Sequence, residues 1–312
     1  MSPRILFTVF LLTLFLAPSQ ELEAKKRLRD LVKEKNWAPK QHKNPFPNHA
    51  VHLELINPNY EGFCTGMFSV FNYVVGCLDL FECGEFTGIN LNFGEIGLYY
   101  DKEKGRNWWS YYCEPIVVGA KGNSKSLSHI WGEASEIIYH TEIGLTRERV
   151  HQLISKYVHF KPEILQRVDQ FCQDYFFLKP VIGVHYRGTD KDSEAKRVSY
   201  SVVKKEIQNY LESNKLEEFL IFVATDEEQF LDYMIDEYPD ACIFIPAERS
   251  IDGAPLHTTT KEPYQQGLES LMDCIILSRT DFLIRTSSNL SLWSTYLNPN
   301  LPVVVLNKRR RY

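Results

Sequence analysis

The sequence has no excess of positive charge. Its 35 lysines and arginines are outnumbered by 40 aspartates and glutamates, and the formal net charge is −5. Such a chain has no overall field that attracts nucleic acid. The two basic runs, "KKRLR" from Lys25 and "KRRRY" from Lys308, are short and typical of solvated tails. The charge therefore argues against a nucleic-acid partner.

The sequence also lacks cysteines in a C-x-x-C spacing, and its seven cysteines are an odd number. Most lie among apolar neighbours, as in "VVGCLDLFEC" and "LMDCIILS". This favours small buried hydrophobes over a zinc site or a full disulfide set. Cys77 and Cys83 could pair in a secreted protein, and their spacing leaves that open. One glycosylation sequon is present, Asn289-Leu290-Ser291.

Long hydrophobic runs are almost absent. The apolar run from Ile5 to Ala17 follows Arg4 and precedes the small residue Ser19, which is the layout of a secretory signal peptide. It is shorter than the roughly 20 residues of a membrane span. We therefore expect residues 1–20 to be a signal peptide or a short signal anchor, and 21–45 to be a linker. Export, the secretory pathway or membrane anchoring follows, although the odd cysteine count fits a cytoplasmic protein as well.

The chain length and composition suit two globular domains, with 44% hydrophobic and 24% charged residues. In the second half, apolar runs typical of strands alternate five times with segments of helical spacing. The predicted strands are "VIGVHY", "FLIFVAT", "ACIFIP", "DFLIRT" and "PVVVLN". This pattern predicts a parallel sheet with helices on both faces over residues 179–312. The helix after "FLIFVAT" is expected to take Asp226 as its N-cap.

The first half, residues 46–178, is predicted to be a less regular α/β domain that ends near Leu178-Lys179-Pro180. Its predicted strands are "HAVHLELIN" and "TGINLNF", and its predicted helices are 67–83, 147–157 and 162–177. The aromatic run "NWWSYYCEP" could stack on sugars. Core packing is the interpretation that we favour. Glu114 could line a cleft, and the loop of His257 and Thr258–Thr260 could close on a ligand.

Polar residues follow three of the predicted strands. The first strand runs from Val181 into "HYRGTDK", the second is followed by Thr225 and Asp226, and the third by Thr286 to Asn289. Ligands of open α/β sheets bind beyond the carboxyl ends of the strands. A guanidinium such as that of Arg187 matches phosphate oxygens in pairs, and a helix start flanked by hydroxyls suits phosphate.

The ordered motifs "GVHYRGTDK", "FVATD" and "DFLIRTSSN" resemble those of the fucosyltransferase superfamily that uses GDP-fucose. The likeness is nearest to the α-1,6-fucosyltransferases of N-glycan core and nodulation-factor type, and the turn "GFCTGM" before an apolar helix resembles their glycine loop. The resemblance implies an α/β fold of the glycosyltransferase B type, with two Rossmann-like domains that face a cleft. It implies inverting transfer of L-fucose from GDP-fucose to a glycan hydroxyl, without a metal or other cofactor.

The resemblance also implies roles for single residues. Arg187 would hold the β-phosphate of GDP, and Glu194 would be the catalytic base with Lys191 beside it. Ser288 and Asn289 would add phosphate contacts, and His185 and Asp226 would contact the guanine side. Gly62 and Phe63 would line the cleft from the other domain, and Asp190 and Ser287 would be further nucleotide-sugar contacts. This chain departs from the family in two ways: the α-1,6 enzymes usually have two adjacent arginines where this chain has Arg187-Gly188, and the spacing from Asp190 to Glu194 is one residue shorter.

Two other interpretations use the same residues. Asp190-Lys191-Asp192 is a D-x-D, which in other glycosyltransferases holds Mn²⁺ or Mg²⁺ with a nucleotide sugar. Alternatively, the protein binds a carbohydrate or nucleotide on the same fold without catalysis, because Gly188 stands in the place of a second arginine. Either protein would meet the membrane only through an uncleaved N-terminal segment.

Overall fold

The computed structural model describes residues 49–53, 66–84, 86–93, 95, 98–119, 145–177, 179–189, 195–254 and 262–307. All of these lie within one compact unit, residues 44–312. The signal-like segment and the linker predicted for residues 1–45 lie outside the described residues. Among the described residues, no helix is long and apolar enough to cross a membrane.

The second half forms a five-stranded sheet in which every neighbouring pair is parallel. Its strands are β4 (Val181–Tyr186), β5 (Leu220–Thr225), β6 (Cys242–Ile243), β7 (Phe282–Arg285) and β8 (Val303–Val305). They lie in the order β6-β5-β4-β7-β8, so the first strand of this half is central. All five predicted strands are present. β6 is shorter than predicted, because its run continues as a loop from Phe244.

Four helices of this half connect the strands and cover both faces of the sheet. They are α5 (Tyr200–Asn214), α6 (Glu228–Glu237), α7 (Pro263–Leu277) and α8 (Asn289–Leu297). Buried residues of α5 and α6 pack with Val184, Val223 and Ile284 on one face. Buried residues of α7 and α8 pack with Phe222 and Leu283 on the other. Alternate residues of each strand point to opposite faces, so both faces are apolar and the strands are continuous hydrophobic runs.

The first half contains a smaller, mixed sheet of β1 (His49–Leu53), β2 (Phe86–Leu91) and β3 (Val117–Gly119). β1 and β2 are parallel, and β3 runs antiparallel to β2. Its helices are α1 (Met67–Glu82), α2 (Trp109–Tyr112), α3 (Arg147–Tyr157) and α4 (Pro162–Tyr175). The short elements α2 and β3 were not predicted, because neither is long enough to show a period.

The aromatic run of the first half is core, as we expected. Trp108, Trp109 and Tyr112 are buried, and the ring of Phe93 stacks on that of Trp108 at 4.9 Å between centroids. The only member of the run with a charge, Glu114, forms an ion pair of 2.9 Å with a lysine of the chain just before α4, Lys161. The rings that could have stacked on a sugar are therefore used for packing.

One hydrophobic core joins residues from both halves of the chain. It contains α1 and α2 together with α7, α8 and one face of the parallel sheet. The boundary near residue 178 stays a prediction. Cys77, Cys113 and Cys274 are buried in this core, where burial raises the pKa of the Cys77 thiol to about 12. Cys77 is a free thiol, so the possible disulfide with Cys83 is not formed.

Candidate active site

The three polar strand ends predicted from the sequence lie side by side. β4 is hydrogen-bonded to β5 on one side and to β7 on the other. Tyr186 pairs with Thr225, and His185 pairs with both Ala224 and Arg285. The carboxyl ends of these strands therefore meet at one edge of the sheet, where ligands of this fold class bind.

Asp226 is the centre of this edge. Its Oδ1 accepts a hydrogen bond of 2.9 Å from the backbone N–H of Gly188. Its Oδ2 accepts one from the hydroxyl of Thr189 and forms an ion pair of 3.1 Å with Nη1 of Arg187. Both oxygens of this buried carboxylate are thus used to hold the turn that follows β4.

The predicted N-cap role of Asp226 is wrong. The N-cap of α6 is Glu227, and no side chain caps it. The reason is that Asp226 lies opposite Arg187 in the neighbouring strand end, where a charged partner outweighs a neutral helix N–H. The contact of Asp226 with the guanine side, implied by the family motif, stays a prediction.

Arg187 is held by its backbone and remains partly accessible by its side chain. Its N–H donates to the hydroxyl of Thr286 at 2.9 Å, and the N–H of Thr286 donates to the carbonyl of His185 at 3.0 Å. The guanidinium side chain is 25% exposed. Hydrogen bonds therefore join the ends of β4 and β7 next to the Arg187 side chain.

Arg285 is a second cation at the same edge, and sequence reasoning missed it. It is 5% exposed, and its Nη1 donates to the carbonyl of Ser288 at 3.1 Å. Register places its side chain on the same face as that of His185, which is also buried. The only signal in the sequence is an arginine inside the apolar strand "FLIRT".

The start of α8 carries the other predicted phosphate contacts. Ser288 is the N-cap, and its side chain makes no capping hydrogen bond. The first N–H groups of a helix have no partner inside the helix, so an uncapped start suits an anion. The N–H of Ser287 is already bound to Oδ1 of Asn307 at 2.6 Å.

Asn289 connects this helix start with the first half of the chain. Its Nδ2 donates to Oγ of Ser69, in the first turn of α1, at 2.8 Å. Ser291, the third residue of the sequon, is completely buried. The side chain of Asn289 is thus engaged in a contact between α1 and α8, and its phosphate contact stays a prediction.

The remaining predicted site residues lie outside the described residues. They are Gly62, Phe63, Asp190, Lys191 and Glu194, and the same holds for Asp192 of the D-x-D and for the loop around His257. Their roles stay predictions. In the part of the chain that the structure describes, no three His, Cys, Asp or Glu side chains cluster in a way that could hold a metal ion.

Asp273 of α7 is a further buried acid that the sequence did not single out. Burial raises the pKa of this carboxyl to about 8, with Glu269 adding to the rise and Arg249 opposing it. Its Oδ1 accepts no hydrogen bond from the described residues. Its sequence context, "LMDCIILS", resembles an ordinary amphipathic helix, in which an acid is expected to face solvent.

One known family matches part of the chain. Residues 149–291 match the family described as "Alpha-(1,6)-fucosyltransferase N- and catalytic domains". They form a fucosyltransferase domain. This fucosyltransferase domain contains all three strand ends and the start of α8, so the ordered motifs and the matched residues coincide. No curated protein matches the chain by sequence.

Solved structures show the same fold. NodZ α-1,6-fucosyltransferase soaked with GDP-fucose matches with a TM-score of 0.52 and 15% identity, over 80% of this chain and 93% of that one. NodZ from Bradyrhizobium matches with a TM-score of 0.52 and 14% identity, over 80% and 94%. NodZ co-crystallised with GDP matches with a TM-score of 0.50 and 13% identity, over 84% and 99%.

The predicted family and fold class are therefore confirmed. The protein is a glycosyltransferase, and its residues 149–291 are similar to the catalytic domain of α-1,6-fucosyltransferases. Its fold is α/β of the glycosyltransferase B type. The fucosyltransferase domain begins inside α3 and ends in the first turn of α8.

Proposed function

We propose that this fucosyltransferase is an inverting, metal-independent enzyme that moves L-fucose from GDP-fucose to a glycan hydroxyl. The observation that carries the proposal is the grouping of Arg187, His185 and Arg285 beside the uncapped start of α8. One crystal of NodZ was soaked with GDP-fucose, and another was grown with GDP. The shared fold supports the same donor for this chain.

We place the diphosphate at this edge of the sheet because fixed positive groups lie there. Arg187 offers a partly exposed guanidinium, and guanidinium binds phosphate oxygens in a bidentate way. The first N–H groups of α8 add a partial positive charge. Because Asp226 and the strand-end hydrogen bonds fix Arg187 in advance, little reorganisation is needed when the GDP leaving group develops its charge.

The same donors support the proposed metal independence. In metal-dependent sugar transfer, a divalent cation neutralises the leaving diphosphate. In our proposal, Arg187, Arg285 and the start of α8 supply this positive charge instead of a metal. Both carboxylate oxygens of Asp226 are already bound to groups of the turn that follows β4. The D-x-D of residues 190–192 is the remaining alternative, and a metal requirement would favour it.

The inverting course needs a base on the face of the sugar opposite the leaving diphosphate. The family motif assigns this role to Glu194, and Lys191 three residues earlier supplies a positive charge that keeps a carboxylate ionised. Both follow the Arg187 turn directly in sequence. This chemistry requires an acceptor hydroxyl, and we propose that it belongs to a glycan.

We also propose that the chain is exported or membrane-anchored through residues 1–20. Its support is the signal-like pattern alone. Cell fractionation of the full chain with a C-terminal tag tests it, and a soluble cytoplasmic protein with an intact N-terminus would contradict it.

Calorimetric titration of the full chain with GDP tests the proposed donor. We expect binding that is unchanged by EDTA, followed by slow release of GDP from GDP-fucose. Binding that needs Mn²⁺ would favour the D-x-D alternative. Absence of GDP binding under both conditions would contradict the proposal.

The variant Arg187→Ala is expected to weaken GDP binding by about 1.5–3 kcal/mol, which is roughly 10- to 150-fold, because it removes a charged hydrogen-bond donor. Arg279→Ala is the matched control. Arg279 is also a partly exposed arginine in an ion pair, with Asp169 at 2.6 Å. Equal GDP affinity of Arg187→Ala and the unchanged protein would exclude this residue from the phosphate site.

The second candidate function is a non-catalytic nucleotide- or carbohydrate-binding protein, which Gly188 favours. The variant Glu194→Gln separates the two. An enzyme should lose at least about 100-fold in turnover while GDP affinity stays within about twofold, since general-base catalysis contributes roughly that much. GDP binding without measurable turnover in the unchanged protein would favour the binding function.

A further inference from the structure

A second ion pair lies on the opposite face of the same strand end. Glu227 follows Asp226 in sequence, is 5% exposed, and pairs with Nη2 of Arg197. Tyr186 and Tyr200, which belong to the α5–α6 face of the sheet, surround this pair. Two neighbouring acids thus point to opposite faces, and each is matched with its own arginine.

Both ion pairs hold the same glycine. The N–H of Gly188 donates to Asp226, as described above. Its carbonyl accepts a hydrogen bond of 2.6 Å from Nη1 of Arg197. The two peptide groups that flank Gly188 are therefore fixed by charged side chains from opposite faces of the sheet. Hydrogen bonds to charged groups are roughly twice as strong as neutral ones.

The glycine itself is required by this arrangement. A Cβ atom at position 188 would lie 1.9 Å from Oε2 of Glu227 and 2.8 Å from Cε1 of Tyr186. Oε2 accepts no hydrogen bond from the described residues, and it lies in the space that this Cβ would occupy. A side chain at 188 would therefore require the end of the Glu227 side chain to move.

We propose that Arg197 is a positioning residue for the fucosyl transfer. It holds the carbonyl of Gly188 next to Glu227, and this fixes the turn that presents Arg187 to the diphosphate. Arg197 acts through Gly188 and does not touch the nucleotide. The inference rests on the proposed function, because the diphosphate is the group that Arg187 serves.

Three variants of the full chain test this role by their affinity for GDP. Arg197→Met keeps the length of the side chain and removes its donors, and we expect GDP to bind at least about tenfold more weakly. Glu227→Gln keeps the shape and should stay within about threefold, because Arg197 still reaches the carbonyl. The double variant Arg197→Met, Glu227→Gln should remain as weak as Arg197→Met, since Gly188 still has no donor.

Lys204→Met is the matched control. Lys204 of α5 forms an ion pair with Glu237 of α6, on the same face of the sheet but away from the strand end. We expect its GDP affinity within about twofold of the unchanged protein. Thermal unfolding of each variant shows how much stability is lost. If the ion pairs have only a general structural role, Arg197→Met and Lys204→Met will lose the same amount of stability and the same amount of GDP affinity. That result would overturn the proposal.

Two other results would also overturn it: Arg197→Met with unchanged GDP affinity, or full recovery in the double variant, which would mean that Arg197 only neutralises Glu227. If Arg197→Met does not fold, the double variant takes its place, because Glu227→Gln removes the buried charge that Arg197→Met leaves unpaired while the carbonyl of Gly188 still lacks its donor. We then expect at least about tenfold weaker binding, and unchanged binding overturns the proposal.

If the unchanged protein binds no GDP, the proposed function fails together with this inference. If it binds GDP and only the variants are normal, the inference fails alone.

Discussion

At the scale of single residues, the carboxyl ends of β4 and β5 are held together by ion pairs between buried acids and arginines. Asp226 and Glu227 are buried, and each has an arginine. A buried carboxylate without such a partner is costly, and its proton is then held to higher pH. Asp273 is that case, since burial outweighs the opposing effect of Arg249 on its pKa.

The stability of the protein should therefore depend on Asp273 and pH. The folded protein keeps the proton on this carboxyl up to about pH 8, whereas its ordinary pKa is 3.8. Between these values the folded state binds the extra proton, so the free energy of unfolding falls as the pH rises and the loss is complete above about pH 8. Asp273→Asn removes this contribution. We therefore expect the free energy of unfolding of Asp273→Asn, measured with urea, to rise relative to that of the unchanged protein when the pH is raised from about 5 to about 9.

Asp232→Asn is the control for this measurement, because Asp232 is an exposed acid on α6. Its free energy of unfolding should follow that of the unchanged protein at both pH values. If Asp273→Asn also follows the unchanged protein, the carboxyl does not carry the extra proton.

At the scale of helices and strands, the sequence predicted what is local. The parallel sheet follows from short apolar runs that alternate with helical periods, and the polar strand ends follow from their positions after those runs. The contacts of Arg197, Arg285 and Asn289 could not be predicted. They depend on side chains that meet across the sheet or across the chain, as in the contact of Asn289 with Ser69.

A buried hydrogen bond contributes to the packing of α1 against α8. The indole N–H of Trp293 donates to Oδ1 of Asn72 at 2.6 Å, and both residues are buried. Asn72→Leu leaves this N–H without an acceptor, which should lower the free energy of unfolding by about 1–3 kcal/mol. Denaturant unfolding measures this loss.

The double-mutant cycle with Trp293→Phe isolates the contact. Once the indole N–H is absent, Asn72→Leu should cost much less, since no buried donor is left unpaired. Equal costs of Asn72→Leu in the two backgrounds would show that the hydrogen bond contributes nothing to stability.

At the scale of the whole molecule, the two halves of the described chain share one core. Phe71 of α1 contacts Trp293 of α8 with 5.0 Å between ring centroids, and Phe171 of α4 contacts Phe222 of β5 with 5.5 Å. The sequence predicted two domains because the periodic pattern changes near residue 178. Periodicity says nothing about how much surface the halves bury together.

We therefore expect residues 179–312 not to fold cooperatively when they are expressed alone. One face of their sheet, with α7 and α8, would lose the apolar partners of α1, α2 and α4. At roughly 25 cal/mol per Å² of apolar surface, such exposure exceeds the small stability margin of a domain. Near-ultraviolet circular dichroism during urea unfolding tests this. A sharp transition of the isolated segment would show two independent domains.

The carboxylate of Glu227 that packs against Gly188 also restricts how this protein can evolve. A side chain at position 188 requires the end of the Glu227 side chain to leave the space that the first carbon would occupy. The residues at positions 188 and 227 are therefore coupled, and we expect a second arginine at position 188 to be tolerated better when Glu227 is replaced by a shorter residue.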